Sequence, residues 1–223
     1  MKVGTDGVLL GTWTDGSRAK KILDIGTGTG IIALMLAQKY DALIDAIEID
    51  PEASRQAHEN ISLSLWKDKI KVINKSFQEY ISVAVERYDL IVTNPPFYEN
   101  SLKASGKGRV LARHNDSLSM TEILAGSGIL LKEYGILSLI LPYVEGNIFI
   151  ATASVYGLYC TRKTCVIPAP GKPVKRLLLE FSKTQANFTE DILVISSGTR
   201  HNYTEKFKLL TRDYYLNFRD EIN

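Results

Sequence analysis

The 223-residue chain has no apolar run long enough to cross a bilayer. The longest, Ile136 to Val144, contains Ser138 and Pro142. It falls far short of the roughly 20 residues that a spanning helix needs, and reads as a buried strand. The opening Met1-Lys2-Val3-Gly4-Thr5-Asp6 lacks the apolar core of a secretory signal, which argues against export and for a cytoplasmic protein. Cysteine is scarce. Cys160 and Cys165 lie five positions apart in a β-like stretch, where odd spacing sends side chains to opposite faces, so no disulfide is expected. No further Cys or His pair stands at zinc spacing, and no metal site is expected. Net charge is only +2, too little to declare a nucleic-acid binder without knowing where the cations cluster. Repeats and low-complexity segments are also missing. With 45% hydrophobic and 23% charged residues, the composition is that of an ordinary globular chain. One domain over 1–223 is expected, with a core at 20–145 and further elements at 146–223.

What is present alternates. Ile22 to Ile25 reads as a strand ending at glycines, and Ile31 to Tyr40 carries helical apolar spacing. Leu43 to Ile49 is strand-like, Pro51 sits where a helix begins, and Glu52 to Leu63 is helical in composition. Ile70 to Ile73, a short helix at Glu79 to Val85 and a strand at Tyr88 to Thr93 continue the series. Such alternation makes a parallel sheet with helices on both faces. Asn100 to Asp116 reads as loop and Leu118 to Tyr134 as helix, followed by a fifth strand at Ile136 to Tyr143 and a helix at Asn147 to Tyr156. Tyr159 to Ile167 and Leu177 to Ser182 then form an antiparallel pair, joined through Pro168, Pro170, Gly171 and Pro173. Tyr203 to Leu216 is a helical or irregular tail. The expected fold is α/β, a mostly parallel seven-stranded sheet closed by an antiparallel C-terminal hairpin.

The run Asp24-Ile25-Gly26-Thr27-Gly28-Thr29-Gly30 stands between a strand and a helix, where glycines let backbone approach a nucleotide closely. Its Gly-x-Gly-x-Gly spacing lacks the extra residue of the fingerprint that seats a pyrophosphate, so a ligand without phosphates is expected. Glu48 ends the second strand about 20 residues on, where a carboxylate can accept both hydroxyls of a ribose. Together they point to a nucleoside.

Asn94-Pro95-Pro96-Phe97 directly follows the fourth strand, at the carboxyl edge where open α/β sheets bind ligands. An exocyclic amine or amide nitrogen is a poor nucleophile because its lone pair is delocalised. Catalysis must pyramidalise it and aim it. The Asn94 side-chain oxygen and the Pro95 carbonyl can accept its two N–H bonds. Proline has no N–H and a locked φ, so Pro95 and Pro96 make a rigid turn whose carbonyl is not drawn into a ladder. Phe97 offers a face on which a flipped base can stack.

The glycine unit with its acidic partner resembles the S-adenosylmethionine-binding half of the class I methyltransferases, over roughly residues 20–145, which implies a Rossmann-like fold and that cofactor. The resemblance implies that Asp24 lies near the methionine end, that Gly26 and Gly28 line the cofactor, and that Glu48 holds its ribose. Ser76 stands where the family usually has an adenine-binding Asp, and the Phe77 amide is left to read the adenine. The Asn-Pro-Pro-Phe form is similar to that of enzymes methylating adenine N6, guanine N2 or glutamine. Three further stretches resemble the bacterial tRNA adenine-N6 methyltransferases that modify adenine 37 of valine tRNA. They are Met1 to Gly11, the Asn94-Pro95-Pro96-Phe97-Tyr98 form, and Asn202 to Glu205 with Tyr214-Tyr215-Leu216. This resemblance implies that Gly4, Thr5 and Asp6 form part of the cofactor's lid, and Asn94 would border the cofactor as well as the target. The family's usual segment ahead of that opening is not in the sequence, so a longer natural N-terminus is expected.

An RNA substrate, expected as the anticodon loop of a tRNA, calls for cations around the catalytic edge. Lys103, Lys107, Arg109, Arg113 and His114 follow the Asn94 turn, and Lys172, Lys175 and Arg176 crowd the later Pro/Gly loop. Tyr98 and His114 are candidates to stack on splayed bases. Rival readings are glutamine methylation of a release factor, DNA adenine or ribosomal guanine methylation, and a non-catalytic cofactor- or RNA-binding module on the same fold. The release-factor family normally carries a helical domain ahead of the glycine motif, and with Asp24 this early in the sequence none is expected.

Overall fold

A computed structural model describes residues 4–96, 118–199 and 202–215. The chain opens on α1 (Thr5–Trp13) and enters the sheet at β1 (Lys21–Ile25). Gly26, Gly28 and Gly30 all have positive φ, at 67°, 58° and 83°, a series of left-handed positions that only glycine takes without strain. Out of this turn come α2 (Ile31–Lys39), β2 (Leu43–Glu48) and α3 (Pro51–Ser62). Asp50 caps α3 by accepting the amides of Glu52 and Ala53, with Pro51 at the first helical position. β3 (Ile70–Asn74), α4 (Phe77–Val83) and β4 (Tyr88–Thr93) follow. Ser76 and Glu79 close α4 with a reciprocal capping box, and Ser119 and Glu122 do the same for α5 (Met120–Leu130). The rest is β5 (Leu131–Pro142), α6 (Tyr143–Ala153) with a 3-10 turn at Ser154–Tyr156, β6 (Tyr159–Ile167), β7 (Arg176–Ser182), β8 (Thr189–Val194) and α7 (Glu205–Thr211).

The sheet order is β3-β2-β1-β4-β5-β7-β6-β8. β1 to β5 are parallel, and β7 runs antiparallel to both β5 and β6. Side chains alternate between two cores with the period of a strand. Ile22, Leu90 and Leu178 pack with α1, α2, α3 and α7, whereas Leu23, Ile91, Leu177 and Leu179 pack with α4, α5 and α6. The expected seven strands are all present, including the antiparallel β6–β7 pair. An eighth, β8, extends the sheet parallel to β6.

Several boundaries differ from the sequence reading for identifiable reasons. The helix expected to run to Tyr134 ends at Leu130. Leu131 already pairs with Tyr88, and Gly135 permits the close approach, since a Cβ there would lie 2.8 Å from the Tyr88 carbonyl oxygen. α4 starts at Phe77 rather than Glu79 because of its Ser76 cap, and α6 starts at Tyr143 rather than Asn147, directly after Pro142. In β6 a register shift between Cys160 and Arg162 resets the alternation, so Cys160 and Cys165 pack against the same core instead of opposite faces. Both thiols are free.

α4 and α5 meet where α5 has a glycine. A Cβ on Gly126 would come within 2.5 Å of the Phe77 ring and of Ile81. Gly126→Ala is therefore expected to lower stability by about 1–3 kcal/mol, read by chemical denaturation.

Candidate active site

The carboxyl ends of the parallel strands surround a cavity of about 600 Å³, within the range of small-molecule sites. Its wall follows the sheet order. Ser76, Phe77 and Gln78 come from the start of α4, Glu48 and Ile49 from the end of β2, Gly26 and Gly28 from the glycine turn, and Thr93, Asn94, Pro95 and Pro96 from the end of β4. Asp6 of α1 and Arg176 of β7 complete it on the far side.

The glycine turn is pinned to β2 through a carboxylate. Glu48 accepts the Gly28 amide at 2.8 Å through Oε2 and the Asp50 amide at 2.9 Å through Oε1. Each carboxylate oxygen has a second lone pair for a hydroxyl donor. Asp24, fully buried at the end of β1, accepts the Thr27 hydroxyl at 2.6 Å through Oδ2. Its Oδ1 is buried without a partner. Burial pushes the Asp24 carboxyl up to about 7, with the Thr27 hydrogen bond and the nearby Ala33 amide opposing the rise and the Glu48 charge adding to it.

An unpartnered buried oxygen of this kind fits a cationic donor group. Gly26 faces open space, with nothing within 4 Å of where a Cβ would stand, so a ligand can lie against bare backbone. Apolar Ile49, Phe77 and Pro95 bound the same cavity and suit the faces of a purine. These residues fit a nucleoside carrying an amino-acid tail, with Glu48 for the ribose and the α4 start for the base, while Asp24, tied to the glycine turn through Thr27, is fully buried and does not itself line the cavity. Phe77 opens α4, so its N–H has no acceptor within the helix, as a purine acceptor would require. The Ser76 hydroxyl is committed to Glu79, donating at 2.8 Å to its carboxylate and accepting its amide at 3.2 Å.

The Asn94-Pro95-Pro96 turn is rooted by Thr93, whose hydroxyl donates to the Ile25 carbonyl at 2.9 Å. Asn94 is half-buried, Pro95 buried and Pro96 exposed, and all three line the cavity with Gly26 and Glu48. Asp6 and Arg176, read separately from the sequence, form one ion pair, Nε to Oδ2 at 2.8 Å. Thr5 is exposed at the start of α1, and Lys172 and Lys175 are exposed in the β6–β7 connection. None of these three lines the cavity. Phe97, Tyr98, Lys103, Lys107, Arg109, Arg113 and His114 lie outside the described residues. Sequence reasoning missed Lys75, Gln78 and Thr93, all of them cavity-lining, because neither residue type nor spacing sets them apart from ordinary strand-end and helix-start residues.

Glu48→Ala is expected to raise the Kd for S-adenosylmethionine roughly 100-fold, since it removes the hydroxyl acceptors and unties the Gly28 amide. Calorimetric titration reads the effect. A change of under threefold would deny Glu48 this role.

The model of the methyltransferase small domain family matches residues 4–139. A protein of Trichodesmium erythraeum named tRNA1(Val) (adenine(37)-N6)-methyltransferase is 48% identical over 98% of this chain and 92% of its own length. Proteins of the same name from Flavobacterium psychrophilum and Haemophilus influenzae are 45% and 41% identical, covering 97% and 98% of this chain and 93% of each relative. Among solved structures, one from Agrobacterium tumefaciens described as a predicted O-methyltransferase superposes with a TM-score of 0.68 at 19% identity, covering 93% of this chain and 96% of that one. A ribosomal protein L11 methylase from Lactobacillus delbrueckii gives 0.58 at 17% identity over 80% and 78%. These two likenesses show the fold. Taken with the near-full-length relatives, the glycine turn and the Asn-Pro-Pro turn around one cavity place this chain in the methyltransferase small domain family, among the tRNA1(Val) (adenine(37)-N6)-methyltransferases.

Proposed function

We propose that this protein methylates the exocyclic N6 of adenine 37 in valine tRNA. The observation that carries the reading is the shared cavity: Asn94, Pro95 and Pro96 line the same space as Gly26, Gly28 and Glu48. Target amine and donor can therefore meet. S-adenosylmethionine, when bound, supplies a methyl group on a positively charged sulfur. The chain's own residues do the rest by positioning. Glu48 and the glycine turn hold the nucleoside end, and Asp24 holds the ammonium. The Asn94 side-chain oxygen and Pro95 carbonyl accept the two amino hydrogens, so the nitrogen lone pair leaves the plane of the ring and points across the cavity. Pro95 and Pro96 fix those acceptors before the base arrives.

The target adenine must leave the stack to reach this turn, which suits the single-stranded anticodon loop. Among the described residues no helix is long and apolar enough to cross a membrane, and we place the protein in the cytoplasm with its tRNA. The relatives' names favour tRNA over glutamine, DNA or ribosomal RNA. The purified protein with labelled S-adenosylmethionine and separate pools of tRNA, rRNA, duplex DNA and release factor tests the choice. Label is expected in tRNA, mapping by digestion and mass spectrometry to N6-methyladenosine at position 37. Label confined to another pool would reject it.

A further inference from the structure

The Asp6–Arg176 pair lines the cavity on the side of the sheet away from Glu48 and Phe77. Glu48 lies at the end of β2 and Phe77 beyond β3, both on one side of β1. Arg176 stands on the other side, two strands past β4. Two strand spacings amount to roughly 10 Å across the sheet. The registers Thr93 with Leu139 and Pro142 with Arg176 place Arg176 three residues nearer the sheet edge than the root of the catalytic turn. Three residues add roughly 10 Å along the strands, so the Arg176 backbone lies roughly 14 Å from Thr93, a gap that one nucleotide and the arginine side chain together span.

The guanidinium is held there. Its Nε donates to Asp6 Oδ2 at 2.8 Å and its Nη1 to the Lys175 carbonyl at 3.1 Å. Among the described residues these bonds engage two of its five donors. The side chains are 26% and 34% exposed, so solvent and a competing anion can reach them. A half-exposed pair adds little to stability, and pre-aiming a fork-shaped cation is the effect that remains. Asp6 meets that fork through one carboxylate oxygen, Oδ2, a contact that a phosphate oxygen can replace.

We infer that Arg176 grips the phosphate of the target nucleotide, with Asp6 holding the guanidinium in place until that phosphate displaces it. The inference rests on the RNA substrate proposed above. It makes Arg176 a substrate-positioning residue that shares its cavity with Asn94, so that holding the phosphate brings the flipped base to the turn.

The test is a cycle between protein and RNA. Wild type and Arg176→Ala are assayed on an anticodon-stem RNA with either an ordinary or a neutral methylphosphonate linkage 5′ to the target adenosine. For wild type, neutralising that linkage is expected to raise the KM for RNA about tenfold. For Arg176→Ala the KM is expected to be about tenfold higher on ordinary RNA, and neutralisation adds less than twofold. Arg176→Gln, with a thermal melt of each variant, gives the same reading if the alanine form is unstable. Asp6→Asn removes the competitor and is expected to tighten RNA binding about threefold. Additive losses in the cycle would overturn the inference. So would an Arg176 variant that loses S-adenosylmethionine affinity while its KM for RNA stays put. Wild type inert on ordinary RNA would instead overturn the proposed substrate, before any variant is compared, and the inference with it.

Discussion

Asn94→Ala is expected to lower kcat by about 10³-fold while leaving the Kd for S-adenosylmethionine within about threefold. The size follows from the chemistry of the acceptor. Adenine N6 has its lone pair in the ring π-system, and with only the Pro95 carbonyl left to accept one hydrogen, nothing holds the nitrogen out of plane. The ground state loses little, because base and donor still have their stacking and hydroxyl contacts. The fold should survive, since Thr93 roots the turn through its own bond to the Ile25 carbonyl. Asn94→Asp keeps an acceptor oxygen at the same place and is expected to recover at least about tenfold over alanine. Single-turnover rates at saturating RNA, alongside calorimetric cofactor binding, separate the two effects. A loss seen mainly in cofactor affinity would place Asn94 in donor binding and remove the amine-acceptor role.

The parts of the fold visible in the sequence are those where one local rule governs. β1, β2 and β4 are short apolar runs bounded by glycine, acidic residues or proline, and their ends fall within a residue of expectation. α1 is faint in the sequence because Gly7 and Gly11 lower helix propensity. Their reason is tertiary: a Cβ on Gly11 would meet the Met35 sulfur at 2.8 Å, so α1 can lie close against α2 only without one. β8 was hidden because Thr189, Glu190 and Asp191 look like loop. They are tolerated in an edge strand, where Glu190 pairs with Lys163 at 2.8 Å and Asp191 pairs with Lys206.

The site divides along the same line. Asp24, Gly26, Gly28, Glu48 and the Asn94 turn sit at or beside the carboxyl ends of strands that the alternation locates. The Asp6–Arg176 pair joins residues 170 positions apart, and only the pairing of β7 with β5 brings them together. Ser76 shows the opposite case. The family habit suggested a side chain facing the adenine, but the local capping rule claims its hydroxyl for Glu79.

Cofactor affinity is expected to fall about tenfold between pH 8 and pH 6, and Asp24→Asn is expected to abolish that dependence. The Asp24 carboxyl sits at about 7 in the free protein, so near neutrality it is half protonated, while a cationic ligand requires it ionised. Below pH 7 each binding event must first expel a proton, at a cost of tenfold per pH unit. Folding carries the same linkage with its own sign. The folded-state value lies above the unfolded 3.8, so the folded protein binds more protons across that interval and its stability drops as pH rises from about 4 to 7. The drop amounts to roughly 4 kcal/mol and is complete above pH 7. At pH 8 the ligand-free Asp24→Asn protein should therefore be the more stable one yet bind S-adenosylmethionine on the order of 100-fold more weakly, because a neutral amide cannot match the ammonium. Denaturant titrations of both proteins at pH 5 and pH 8, with calorimetry at pH 6 and pH 8, measure both halves. Parallel stability curves for the two would mean that Asp24 is already ionised or paired in the folded protein, and the buried orphan oxygen would then lose its role as the cation's receptor.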